Sequence, residues 1–176
     1  MKKLLIVVDM QNDFITGTLG SAQAEKIVPY VGAKIAAHRQ SGGAVLFTRD
    51  THDENYLSTQ EGKYLPVLHC VKGSVGHAVA QELGAAPCEL WDKPTFGSLP
   101  LAEHVAAGGF DEIELCGLCT DICVVSNALI LKARLPETPV TVDARACAGV
   151  TQESHNAALL TMKMCQVQVI GEDGQA

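Results

Sequence analysis

Cys123 follows a short apolar run and the turn Gly117-Leu118-Cys119-Thr120-Asp121, and it opens a helical pattern. Amide N–H groups at a helix start are unpaired and carry partial positive charge. A thiol placed there is expected to have a lowered pKa and to act as a nucleophile, and the same amides suit the oxyanion of an acyl transfer. A buried structural cysteine competes with that reading, because free Cys is among the most buried residue types. Asp9 closes an apolar run, where a carboxylate either caps the following turn or serves a site. Lys93, in Trp91-Asp92-Lys93-Pro94-Thr95-Phe96-Gly97, reads on its own as a surface lysine.

Asp50 and His52 form a second group. Two residues apart on an extended segment, they point to the same side. With His69 they offer a ligand set for zinc, iron or manganese, and Glu61 between them could add an oxygen. Unrelated loop histidines are the alternative. Cys116-Gly117-Leu118-Cys119 also matches a C-x-x-C dithiol pattern, and Cys123 extends it toward a metal-cluster spacing. Cys116 falls within a predicted strand, facing the core, and no flanking Trp or Pro supports a thioredoxin-like loop.

The elements that must position these residues alternate. Apolar runs predict strands at Leu4–Val8, Ala44–Thr48, Cys88–Trp91, Ile113–Cys116, Val140–Val142 and Val167–Ile170. Helical spacing predicts helices over 23–41, 77–84, Leu99–Ala107, Asp121–Arg134 and Gln152–Cys165. Residues 49–76 read as a long polar loop of the kind that is usually functional. The expected fold is α/β, a three-layer α/β/α arrangement with a mostly parallel sheet of about six strands. Ligands in such sheets sit beyond the carboxyl ends of the strands. That rule brings together Asp9, Asp50, Lys93 and the segment 117–123.

The chain has 176 residues, 47% of them hydrophobic, which suits one core and one domain over 1–176. The net charge is −7 and there is no basic stripe, so nucleic acid and anionic membranes are poor partners. No apolar stretch reaches the length of a membrane span. Seven cysteines without a signal segment predict a cytoplasmic protein with reduced thiols.

Read together, three segments resemble the isochorismatase-like cysteine hydrolases, in particular the nicotinamidases. Val7-Val8-Asp9-Met10-Gln11-Asn12-Asp13-Phe14 is similar to the opening strand and turn of that family. Trp91-Asp92-Lys93-Pro94 resembles its lysine segment, and Gly117-Leu118-Cys119-Thr120-Asp121-Ile122-Cys123-Val124 its nucleophile segment. The order and spacing agree along nearly the whole chain.

The resemblance implies that Cys123 attacks a carbonyl carbon, that Asp9 moves the proton, and that Lys93 pairs with Asp9. It implies a cis peptide at Leu118–Cys119 that aims the N–H of Cys119, with that of Cys123, at the oxyanion. Asp121 is then expected to cap the nucleophile helix, and His104 and His155 to be ordinary helix residues. Arg49-Asp50-Thr51-His52 and Leu65-Pro66-Val67-Leu68-His69-Cys70-Val71-Lys72-Gly73-Ser74 resemble the two histidine segments of nicotinamidases. This implies a divalent metal on Asp50, His52, His69 and, more weakly, Glu61. Phe14 resembles the aromatic residue lining the ring pocket, and Phe96 is a second such residue.

Thr51 stands where the family usually has Trp. Tyr56 or Tyr64 is expected to fill space near the histidines. The implied substrate is a small amide, nicotinamide first, which would place the chain in NAD salvage. Another carboxamide, ureide or carbamoyl compound is the alternative, and a non-catalytic or thiol-redox protein a more distant one. A homo-oligomer is expected from the family.

Overall fold

The computed structural model describes residues 1–84 and 88–172. Its elements run β1 (Lys3–Val8), α1 (Asn12–Ile15), α2 (Ala22–Gln40), β2 (Ala44–Asp50), α3 (Gln60–Tyr64), β3 (Glu89–Lys93), α4 (Leu99–Gly108), β4 (Glu112–Leu118), α5 (Val125–Arg134), β5 (Val140–Ala148), α6 (Gln152–Met164) and β6 (Gln168–Ile170). The six strands form one sheet in the order β3-β2-β1-β4-β5-β6, and every pairing is parallel. This bears out the expected fold class.

The central strands are buried on both faces, which explains their continuous apolar runs: Leu5, Ile6, Val7 and Val8 are fully buried. Helix α2 lies on β1, β2, β4 and β5, while α4, α5 and α6 pack side by side. Right-handed crossovers put these two helical layers on opposite faces of the sheet. The order of strands reverses between β1 and β4. At that point a side chain on Gly117 (φ 119°) would lie 2.1 Å from the Val8 carbonyl oxygen, so only glycine lets the two backbones meet.

Several elements differ from expectation. Residues 77–84 do not form a helix; only Gln81–Leu83 makes a single 3-10 turn. Their backbone pairs elsewhere: Asn12 N donates to Ala78 O (3.0 Å), Ala80 N donates to Met10 O (2.9 Å), and Val79 bridges Gln11. The polar stretch after β2 holds a 3-10 turn, Tyr56–Ser58, and the short helix α3. Strand β5 continues beyond the expected Val142 to Ala148, through Asp143 and Arg145. Asp143 is tolerated there because Lys34 Nζ sits 2.8 Å from its carboxylate and Arg145 N donates to it. The nucleophile helix starts as a wide turn, Thr120–Val124, and becomes regular at Val125. Among the described residues no helix is long and apolar enough to cross a membrane.

Candidate active site

Strand ends deliver the reacting side chains. Asp50 and Lys93 are direct register partners at the ends of β2 and β3. Asp9 follows β1 in a left-handed backbone conformation (φ 47°). Cys123 arrives from the turn after β4. Lys93 Nζ lies 2.7 Å from Asp9 Oδ2, 3.4 Å from Cys123 Sγ and 3.5 Å from Asp50 Oδ1. All four residues are buried: Asp9 and Lys93 completely, Cys123 and Asp50 to within a few per cent. The sequence rule that placed Asp9, Asp50, Lys93 and 117–123 at one edge therefore holds, and Lys93 is not a surface lysine.

Thr48 holds Asp9 from both sides. It accepts from Asp9 N (3.1 Å) and donates to Asp9 Oδ1 (2.6 Å). Oδ2 faces Lys93 as an ion pair without an aligned hydrogen bond. It therefore keeps a lone pair for a proton from a neighbouring group. Burial raises the Asp9 pKa, against the opposing pull of Lys93 and Thr48. Burial also pushes the Cys123 thiol well up, and the Asp9 carboxylate adds to this while Lys93 opposes it. This corrects the expectation that its position near a helix start lowers the thiol pKa. In a dry site beside a carboxylate, desolvation outweighs the helix-end field. Burial alone would lower Lys93, but Asp9, Cys123 and Asp50 together raise it, so the ammonium stays charged.

The peptide bond Leu118–Cys119 is cis, as the resemblance implies. Cys119 heads the wide turn, its carbonyl accepting from Ile122 N and Val124 N (3.1 Å each). Asp121 does not cap this helix. Its carboxylate accepts from Val150 N and from Ser154 Oγ at the start of α6. Thr120 Oγ1 pairs with His155 Nδ1 (2.8 Å), so the nucleophile turn is braced by α6 through His155. His104 pairs at the surface with Glu89 (2.8 Å). Cys116 is wholly buried, and burial pushes its thiol well up, which disfavours the dithiol reading.

Beside the reacting group, Asp50, His52, Glu61 and His69 present one ligand atom each within 4.8 Å of one another. Asp50 Oδ2 lies 2.9 Å from His52 Nε2 and 3.5 Å from His69 Nε2, and Glu61 Oε1 lies 3.6 Å from His52 Nε2. Two imidazoles and two carboxylates converging on one point form a donor set that fits a divalent ion. His69 Nδ1 pairs with Val67 O (2.7 Å), which leaves Nε2 toward the cluster. Burial opposes ionisation of Asp50, but His52, His69 and Lys93 prevail and hold its pKa well below the usual carboxylate range. Burial and Asp50 raise Glu61.

Of the pocket aromatics, Phe14 is brought to His69, with ring centroids 5.5 Å apart. Phe96 is 44% exposed, its carbonyl accepting from Asn127 Nδ2. Tyr56, not Tyr64, fills the space near the histidines. Its buried ring lies 4.4 Å from His52 and 4.9 Å from His69, whereas Tyr64 is 83% exposed.

Sequence reasoning passed over Thr48, Gln11, Asp13 and His77. Thr48 had a usable signal, since it precedes Asp50 by two and so shares its face. Asp13 Oδ2 accepts from Cys70 N (2.7 Å), next to His69. A side chain on Gly76 would lie 2.1 Å from that carboxylate, so glycine lets the loop close over it. No spacing rule links positions so far apart.

The chain is similar over nearly its whole length to several known proteins. The nicotinamidase/pyrazinamidase of Mycobacterium tuberculosis is 28% identical, covering 96% of this chain and 98% of its own length. A protein of Arabidopsis thaliana described as a probable inactive nicotinamidase is 30% identical over 90% of this chain and 87% of its own. The crystal structure of the pyrazinamidase of Pyrococcus horikoshii in complex with zinc superposes with a TM-score of 0.83 at 27% identity, covering 98% of this chain and 100% of that one. Residues 3–173 match the isochorismatase domain, so the chain belongs to the isochorismatase family, on its nicotinamidase branch.

Proposed function

We propose that the chain hydrolyses a small carboxamide through a Cys123 thioester, with nicotinamide as the substrate and nicotinate and ammonia as products. The observation that carries this is Lys93 Nζ, which stands 2.7 Å from Asp9 and 3.4 Å from Cys123, with all three side chains buried. Asp9 takes the Cys123 proton as the sulfur attacks the carbonyl carbon, and then delivers it to the departing nitrogen. Ammonia leaves and the thioester remains. A water molecule, deprotonated by Asp9, attacks the thioester; nicotinate departs and the thiol is restored. Lys93 holds the developing thiolate and carboxylate charges in place. The amides of Cys119 and Cys123 serve as oxyanion donors, a role that rests on the family resemblance. Both thiol and carboxyl start with raised pKa values. The proton thus stays on sulfur until the attack on the carbonyl draws it to Asp9, and no free thiolate has to wait in the site.

Asp50, His52, His69 and Glu61 are the residues that would hold zinc, iron or manganese. When bound, such an ion supplies a Lewis-acid anchor for a ring nitrogen of the substrate. The zinc complex of the Pyrococcus relative favours zinc. Phe14, against His69, would line the ring side of the site, and Phe96, three residues after Lys93, is the second aromatic offered to it. Free thiols suit a reducing, cytoplasmic setting, self-association is expected from the family, and turnover of nicotinamide would serve NAD salvage.

Ammonia release from nicotinamide by the purified protein, by Cys123→Ala and by an EDTA-treated sample tests the reading. The expected result is a loss of about 10⁴-fold or more in Cys123→Ala, together with loss on chelation and recovery on adding zinc or manganese. A folded, metal-loaded protein that releases no ammonia from nicotinamide overturns this substrate. Release from a ureide or another amide would then move the assignment within the same chemistry.

A further inference from the structure

Strand β2 outruns β1 at the site. Their last register pair is Val7 with Phe47, after which the chain turns at Asp9. On the β3 side the sheet continues, with Thr51 N donating to Lys93 O (2.9 Å). On the β1 side, the backbone of Asp50 has lost its strand partner. A side chain takes the strand's place. Gln11 Oε1 accepts from Asp50 N (2.7 Å) and Gln11 Nε2 donates to Asp50 O (2.9 Å). The second hydrogen of the same amide goes to His77 O (3.0 Å).

His77 then returns the connection. Its Nδ1 accepts from Gly73 N (3.4 Å), which assigns the ring hydrogen to Nε2, 2.8 Å from Thr51 Oγ1. Thr51 Oγ1 in turn donates to Arg49 O (3.1 Å). Hydrogen bonds from Gln11 to Asp50 and His77 and from His77 to Thr51 thus close a circuit through the Asp50–Thr51 peptide, and Gln11 (0% exposed) and His77 (3%) are buried. A buried amide bonded at three of its four positions costs most when one contact is lost, so its geometry is sharply defined.

We infer that Gln11 and His77 are positioning residues for the metal group: they fix the backbone of Asp50-Thr51-His52 and so the separation of its two ligand atoms. The inference rests on the metal reading of Asp50, His52, Glu61 and His69. It also gives Thr51 a part, as the anchor for the His77 ring.

The zinc dissociation constant, from competition with a chromophoric chelator, and the rise in thermal midpoint on adding zinc are measured for the natural chain, Gln11→Met and His77→Phe. Gln11→Met is expected to weaken zinc by about 10- to 100-fold, and His77→Phe by less, because it leaves Asp50 gripped. The zinc-induced rise in midpoint should shrink in the same order. Gln11→Glu keeps the shape without the two donors and replaces Gln11→Met if that chain does not fold. A variant whose metal-free midpoint falls while its zinc affinity and zinc-induced rise match the natural chain has lost only packing, which overturns the inference. Failure of the natural chain itself to bind zinc, iron or manganese overturns the metal reading and this inference with it, whereas a failure confined to the variants' effect leaves that reading standing.

Discussion

Asp9, Lys93 and Cys123 come from three strand ends, and sheet register sets their separations. His52, Glu61 and His69 come from the long connection between β2 and β3, where no ladder reaches them beyond one isolated bridge, His52 with Val71. They are held instead by side chains that grip backbone: Gln11 on Asp50, Asp13 on Cys70, Asn12 Nδ2 on Val75 O (2.8 Å), and Tyr56 Oη on Leu65 O (3.0 Å). One region is scaffolded by the sheet and the other is stitched onto it. Nearly all the stitching starts from residues 11–13, just after the strand that carries Asp9.

The difference can be broken at its strongest point with Lys93→Met. This leaves two buried carboxylates without their common cation and should cost about 3–5 kcal/mol in urea unfolding. A loss below about 1 kcal/mol would mean that Lys93 does not neutralise both regions. Thr48→Val is the next test. It removes a donor to an ionised carboxylate, at roughly 1.5–3 kcal/mol. It should also move the pH profile. Asp9 acts as a base only when ionised, and burial already raises it above the ordinary value of 3.8. The acid limb of kcat/KM should therefore lie above that pH in the natural chain. Because the Thr48 bond favours the ionised form, the variant's limb should move higher still. The apparent value belongs to the Asp9–Cys123 pair, and an unmoved limb would remove Thr48 from that pair. The smallest effect is expected from Glu61→Gln. Its side chain is 21% exposed and 3.6 Å from His52, so zinc affinity should fall less than about tenfold. A loss as large as that for Gln11→Met would make Glu61 a full ligand and the stitched region tighter than its contacts suggest.

The scaffolded region was the more legible in sequence. Continuous apolar runs mark the sheet, and the rule that ligands sit beyond the carboxyl ends of its strands brings Asp9, Asp50, Lys93 and the segment 117–123 together. The stitched region was visible only as ligand types with suggestive spacing. Gln11 and His77 look like ordinary polar residues, since their partners are backbone atoms that carry no sequence signal. The thiol pKa departs from expectation for a related reason: a helix start can be read from residue order, whereas the burial that opposes it depends on the tertiary packing around Cys123. Residues 77–84 show helical spacing yet do not form a helix, because their pairing with 10–12 is equally invisible along the chain.

Asp50 gives one oxygen to the lysine and the other to the histidines. A lineage drifting away from the metal could replace His52, Glu61 and His69 one at a time, each swap confined to the loop. Asp50 would be the last to go, because its loss also removes part of the charge around Lys93.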